Sequence, residues 1–341
     1  MKIAFVGKGG SGKTTLSSLF VRHLAAARVP VMAVDADINQ HLGPALGMDE
    51  QEAAALPPLG GRLAEVKEYL RGDNPRIASA EAMIKTTPPG SGSRLLRLDR
   101  PNPVFDACAR TVTLDGGAGG RVRLMATGQF TEEDLGVSCY HSKTGALELC
   151  LNHLVDGRGA YLVADMTAGS DSFGSGLFTR FDLTFLVAEP TRKGVSVYRQ
   201  YRDYARDFGV RLRVVGNKVQ GPEDEEFLRE EVGEDLLLTF GHSAWVRALE
   251  RGRPRPFAEL EESGRAALRV LHETADAAYP RRDWERYTRQ MHHFHLRNAE
   301  SWGNARTGAD LAAQIDPGFV LGEDAAEPAE PERRSAVPQP A

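Results

Sequence analysis

The chain opens on an uninterrupted apolar run, Ile3-Ala4-Phe5-Val6, and then passes through glycines into a helical pattern with Leu16, Leu19, Phe20 and Leu24 on one face. Short apolar runs recur at 30–37, 161–165, 181–188, 212–215 and 236–240, separated by stretches of helical period such as 194–208 and 257–278. Runs apolar at every position, not every second one, are what strands buried on both faces require. Their exchange with helices predicts βαβ units. The expected fold is α/β: a mainly parallel sheet with helices on both faces. Residues 111–114 and 121–125 flank a glycine-rich turn at 115–120 and read as a hairpin. The stretches 53–71 and 76–85 have helix-forming composition, and 86–93 reads as a loop. The region 49–125 is expected to be an insertion on the sheet, serving a partner contact or a surface elaboration.

The organisation expected is one domain over 1–278, a helical extension over 279–315, and a disordered Pro/Glu/Ala-rich tail over 316–341. Composition changes little: 41% hydrophobic and 26% charged residues describe an ordinary globular chain. A net charge of −5 argues against a nucleic-acid partner. No apolar run approaches the roughly 20 residues needed to span a bilayer, so no membrane anchor is expected. Three cysteines, Cys108, Cys139 and Cys150, are too few for a disulfide framework. A cytoplasmic setting is expected.

The chemistry concentrates in Gly7-Lys8-Gly9-Gly10-Ser11-Gly12-Lys13-Thr14-Thr15, a G-x-x-x-x-G-K-[ST] match between a strand and a helix. Glycines allow the backbone to bend and bring its N–H groups onto phosphate oxygens, and the helix N-terminus beyond them favours an anion. Gly9, Gly10, Ser11, Gly12, Lys13, Thr14 and Thr15 are therefore the expected ATP cradle. Lys13 reaches the phosphates, and the Thr14 hydroxyl serves Mg²⁺. Asp35 and Asp37 end the second apolar run, and Asp165 ends another, at the strand ends where ligands of parallel sheets gather.

With Lys8 inside the loop, the stretch reads K-G-G-x-G-K-T and resembles the deviant P-loop ATPases. These include the MinD and ParA positioning proteins, the arsenite-pump ATPase, the nitrogenase iron protein and the CooC-type nickel-insertion ATPases. The resemblance covers residues 1 to about 260 and implies an ATP-dependent homodimer in which Lys8 contacts the partner's nucleotide. It implies that Asp35 supports the Mg²⁺ shell together with Thr14 and Asp165. Asp37, 24 residues after Lys13, orients the attacking water, although relatives often carry proline where this chain has Ile38. Lys8, Lys13 and Asp37 are thus the implied catalytic set. Gly169 is implied to serve the γ-phosphate within a switch segment at 165–176. Asn217 and Lys218 resemble the base-contacting step, and the 241–243 loop is expected on the nucleotide side. Asn217 equally suits a turn residue in the left-handed region.

CooC-type ATPases carry a C-x-C pair near Gly136-Val137-Ser138-Cys139-Tyr140-His141, where this chain has Cys139 and His141. Two ligands per chain make a four-coordinate set only across a twofold axis, and Cys₂His₂ suits Zn²⁺ or Ni²⁺. The alternative is that Cys139 packs as a small apolar residue and His141 lines a helix start. His292 and His295, one turn apart, have chelating spacing, but such pairs more commonly mark a solvated or partner-facing helix face. Two functions follow: a CooC-like metallocentre maturation factor serving a metalloenzyme client, or a MinD/ParA-like switch acting on a protein partner without metal. An iron–sulfur electron donor would need two well-separated switch-side cysteines, and only Cys139 is suitably placed.

Overall fold

The structure is a computed structural model that describes residues 1–129, 141–167, 173, 176–279, 282–323 and 325. Strand β1 (Lys2–Gly7) turns into helix α1 (Lys13–Ala26), which returns to β2 (Val31–Ala36). Helices α2 (Leu42–Ala45), α3 (Glu50–Ala54), α4 (Leu63–Arg71) and α5 (Pro103–Cys108) precede the hairpin strands β3 (Ala109–Thr113) and β4 (Arg121–Ala126). Then come α6 (His141–Asn152), β5 (Tyr161–Met166), β6 (Leu183–Ala188), α7 (Arg192–Phe208) and β7 (Leu212–Gly216). The chain continues through α8 (Pro222–Val232), β8 (Leu236–Thr239), α9 (Ala244–Glu250), α10 (Glu262–Ala278), α11 (Trp284–Asn298) and α12 (Asn304–Thr307).

The eight strands form one sheet in the order β3-β4-β2-β5-β1-β6-β7-β8, parallel except for β3 against β4. Side chains alternate across it. Ala4, Val6, Met32 and Val34 meet α4, α6, α7 and α11 on one face, while Ile3, Phe5, Val31 and Ala33 meet α1 and α10 on the other. With both faces covered, β1, β2, β5 and β6 are buried along their whole length, which accounts for their unbroken apolar runs.

The 49–125 region differs from an appended insertion. Its hairpin forms as expected, but β4 also pairs in parallel with β2, Met32 opposite Arg123, so the hairpin extends the sheet itself. Residues 76–85 are not helical. The Asn74 side chain accepts from Arg76 N at 2.9 Å, Thr87 Oγ1 accepts from Ile84 N at 2.9 Å, and successive tight turns fill the stretch. Side-chain acceptors of this kind offer the backbone an alternative to the helical ladder.

Helix α11 is present, but its histidine face is not solvated. His295 is fully buried, with Nε2–H donating to Leu311 O at 2.9 Å and Nδ1 facing Thr86 Oγ1 at 3.2 Å. Burial pushes its pKa down to about 4, and with both ring nitrogens facing oxygens it sits as a neutral histidine in the core. Residues 316–323, expected in the disordered tail, are packed: Asp316 accepts from Ser91 N and Oγ at 3.0 and 2.7 Å, and Leu321 is buried against Val155, Tyr287 and Met291. Leu321 and Phe319, with the Asp316–Ser91 bonds, anchor the segment. Residues 324 and 326–341 of the tail lie outside the described residues. No described helix is long and apolar enough to cross a membrane.

Candidate nucleotide site

The strand-to-helix turn between β1 and α1 is shaped by positions that exclude a side chain. Gly7 has φ +147°, and a Cβ there would lie 2.4 Å from Val187 O on β6; Gly12 has φ +94°, and its Cβ would lie 2.2 Å from Asn217 Nδ2. Helix α1 begins after Gly12 with no side-chain cap and no acid in its first turn. Its positive dipole end therefore faces the cleft without internal compensation. Lys13 is almost wholly buried, and its Nζ has a long contact, 3.4 Å, to Lys8 O. Lys8 itself is exposed, with Gly9 and Gly10 beside it.

The three aspartates converge as their strand ends require. Asp35 and Asp165 stand opposite one another in the β2–β5 register. Thr14 Oγ1 donates to Asp165 Oδ2 at 2.6 Å. Asp165 Oδ1 is buried with no hydrogen-bond partner among the described residues. An unpartnered buried carboxylate oxygen is costly unless something positive meets it, so the residues present fit a hydrated cation. Among the described residues no cluster of three or more His, Cys, Asp or Glu forms a metal cage. Mg²⁺ keeps several waters and takes one or two carboxylates plus phosphate oxygens, and Asp165 with Thr14 offers a donor set of that kind.

Asp35 is held by the backbone: its oxygens accept from Leu42 N at 2.8 Å and Asp37 N at 3.3 Å, which fixes the turn carrying Asp37. Asp37 is half-buried at the cleft and accepts from Asn39 N at 3.0 Å.

Burial raises the Asp165 pKa to about 7, against the pull of Thr14 and Lys13. Burial, then the neighbouring Asp165, raises Asp35 as well. A carboxylate raised in the fold contributes stability that is complete below its unfolded pKa and is lost as pH rises through the folded one. Asp165→Asn is therefore expected to stabilise the ligand-free protein more at pH 8 than at pH 5. Thermal melts at the two pH values check this, and an equal or reversed gain contradicts it.

Asn217 Nδ2 donates to Ser11 O at 2.7 Å, and Lys218 Nζ donates to Gly10 O at 2.7 Å. Both residues expected at the base line the cleft and hold carbonyl oxygens of the phosphate loop. The 241–243 loop does face the cleft, whose volume of about 700 Å³ also takes in Thr14, Asp37, Val246 and Arg247. That is ample for a nucleotide. Sequence reasoning passed over Val246, Arg247 and Glu189; for Glu189 the available signal was its place at the end of a strand beside the loop. Cys139, Gly169 and Gly174 lie outside the described residues, as does the His141 side chain at the head of α6.

Residues 3–252 match the family model described as the CobQ/CobB/MinD/ParA nucleotide binding domain. An uncharacterized ATP-binding protein of Methanocaldococcus jannaschii is 30% identical over 239 residues, 70% of this chain and 82% of that protein. The carbon monoxide dehydrogenase accessory protein CooC of Rhodospirillum rubrum is 27% identical over 253 residues, 74% of this chain and 87% of that one. Among solved structures, the septum site-determining protein MinD of Pyrococcus horikoshii, complexed with Mg-ADP, is similar with a TM-score of 0.53 and 14% identity, covering 83% of this chain and 98% of that one. The cell division ATPase MinD of Pyrococcus furiosus gives 0.50 at 17% identity, covering 80% and 96%. At such identities the likeness concerns the fold.

Proposed function

Because this chain belongs to the CobQ/CobB/MinD/ParA nucleotide-binding family, we propose that it is a Mg-ATP-dependent ATPase switch that closes as a homodimer, with each Lys8 reaching the phosphates held by the other chain. One observation carries the reading: Thr14, in the first turn after the phosphate loop, donates to Asp165 Oδ2, and the other Asp165 oxygen is buried with no partner among the described residues. Thr14 and Asp165 would hold Mg²⁺, with Asp35 supporting them from the neighbouring strand. When bound, the ion supplies positive charge to the β- and γ-phosphate oxygens. The loop N–H groups, Lys13 and the partner's Lys8 meet the charge that develops on the phosphoryl group, which is where most of the catalysis of phosphoryl transfer lies. Asp37 orients the water. The exposure of Lys8 supports its action outside its own chain.

We further propose that the switch serves a metalloenzyme client as a metallocentre accessory protein. The likeness to CooC supports this, together with Cys139 and His141 as donors for a transferred Ni²⁺ or Zn²⁺. The MinD/ParA-like alternative rests on the family match and on the fold.

One sedimentation experiment tests both levels. Mg-ATP is expected to convert monomer to dimer, and the dimer to take up one Ni²⁺ or Zn²⁺ per two chains, with affinity falling at low pH as thiol and imidazole protonate. Cys139→Ala should lose the ion and keep the ATP dimer. No dimer with Mg-ATP sinks the switch; a dimer without ion at that stoichiometry sinks the cargo role alone.

A further inference from the structure

A phosphate loop that turns its N–H groups toward a ligand turns its carbonyl oxygens away, and these need donors of their own. Two of them, Ser11 O and Gly10 O, are met by Asn217 Nδ2 and Lys218 Nζ, each at 2.7 Å. The Lys218 ammonium has a second partner, Glu189 Oε1, at 2.5 Å. The sheet brings these groups together: β6 and β7 are adjacent, with Ala188 opposite Gly216, so Glu189 and Lys218 leave the sheet side by side. Strand β6 also pairs with β1, Gly7 opposite Val187, which places both groups beside the turn that β1 feeds, with Lys218 at the edge of the cleft.

Lys218 has φ +61°, a left-handed conformation that residues with side chains rarely adopt. Such local strain persists where the surroundings over-determine it, and it clusters at functional sites. Here it aims the ammonium back at the loop.

We propose that Glu189 and Lys218 form a latch that fixes the phosphate loop in its binding shape, both acting as positioning residues for the nucleotide; this rests on the nucleotide-binding reading above. The charges favour this role over direct phosphate contact. The Glu189 carboxylate neutralises the Lys218 ammonium, so the pair adds little net positive charge to the cleft. Lys13, by contrast, has no carboxylate ion-pair partner among the described residues and keeps its charge for the ligand. A loop held in shape before binding contributes affinity that a loose loop would lose in ordering itself.

Both side chains lie at the surface, 53% and 31% exposed for Lys218 and Glu189, so substitutions there should leave the thermal melt close to wild type. The test is a double-mutant cycle in the full chain, read by Mg-ATP calorimetry and steady-state turnover. Lys218→Met, Glu189→Gln and the double variant are each expected to bind Mg-ATP about tenfold more weakly, the double no worse than either single. KM should rise more than kcat falls, because the loop contacts ground and transition states alike. Lys218→Arg, which keeps a donor and a charge, should restore most of the affinity.

Tighter binding by Glu189→Gln with weaker binding by Lys218→Met would make Lys218 a phosphate ligand and overturn the latch. Wild-type binding by all three variants would overturn it too. If the wild-type chain bound no nucleotide, the functional reading would fall and the latch with it; unchanged variants in a binding wild type remove the latch alone.

Discussion

Lys13→Ala is expected to weaken Mg-ATP binding by about a hundredfold or more while leaving the fold intact. The Lys13 side chain is almost fully buried at the first turn of α1, where its ammonium makes one long contact, 3.4 Å, to the Lys8 carbonyl. A desolvated cation with so weak a partner is poised for an anion. Charge-assisted hydrogen bonds are worth about 1.5–3 kcal/mol, and reduced screening in a buried site adds to that. Each 1.4 kcal/mol is about tenfold in affinity, which sets the expected loss. The fold should survive because alanine is the strongest helix former and the lost contact is long. Calorimetry reads the effect directly. A second reading comes from melting: wild type should gain about 2.7 kcal/mol at a hundredfold excess of Mg-ATP over Kd, and the variant none. Unchanged binding would mean that the phosphates sit elsewhere.

The largest effect on stability is expected far from the nucleotide, at Asp156. This carboxylate is fully buried and accepts from Arg282 Nη1 and Nη2 at 3.1 and 2.7 Å, with Lys2 Nζ at 3.4 Å and the Met1 amine also in contact. Arg282 reaches on to Asp182 at 2.7 Å, and Lys2 N donates to Asp182 Oδ2 at 2.7 Å. The cluster ties the segment leading into α11 to the first strand of the sheet. Burial alone would raise the Asp156 pKa, but Lys2, the Met1 amine and Arg282 outweigh it and hold it well below the usual carboxylate range. Its contribution is therefore present above the unfolded pKa and lost only as pH falls through the lower folded value.

Asp156→Ala leaves Lys2 and Arg282 buried with one carboxylate fewer and should cost about 3–5 kcal/mol. Urea unfolding at pH 7 measures this. A variant within about 1 kcal/mol of wild type would show that the cations find water instead.

Much of the site was legible because its chemistry is local. The phosphate loop is a single stretch between one strand and one helix, and Asp35, Asp37 and Asp165 announce themselves as strand ends. What escaped the sequence depends on contacts between distant residues. Strand β4 beside β2 is a matter of sheet order, which the hairpin pattern leaves open. Asp156 and Arg282 are 126 positions apart, and neither has a local signature. The histidine spacing on α11 was readable, but which face it buries was set by Thr86 and Leu311. Glu189 and Lys218 meet only because β6 and β7 are neighbours. The likeness to relatives pointed to Asn217 and Lys218 on the nucleotide side, and their grip on the loop carbonyls depends on the meeting of β7 with the loop across the sheet.

The dimeric switch is tested most directly by mixing Lys8→Ala protein with Lys13→Ala protein and measuring phosphate release. Each variant alone should be inactive, one for want of the lysine acting across the interface and the other for want of its own phosphate contact. In a mixed dimer the Lys8→Ala chain keeps Lys13 and receives Lys8 from its partner, so one site is complete and the other lacks both. Partial turnover on mixing is the predicted result. Mixed dimers that form and remain inactive would contradict action of Lys8 across the interface.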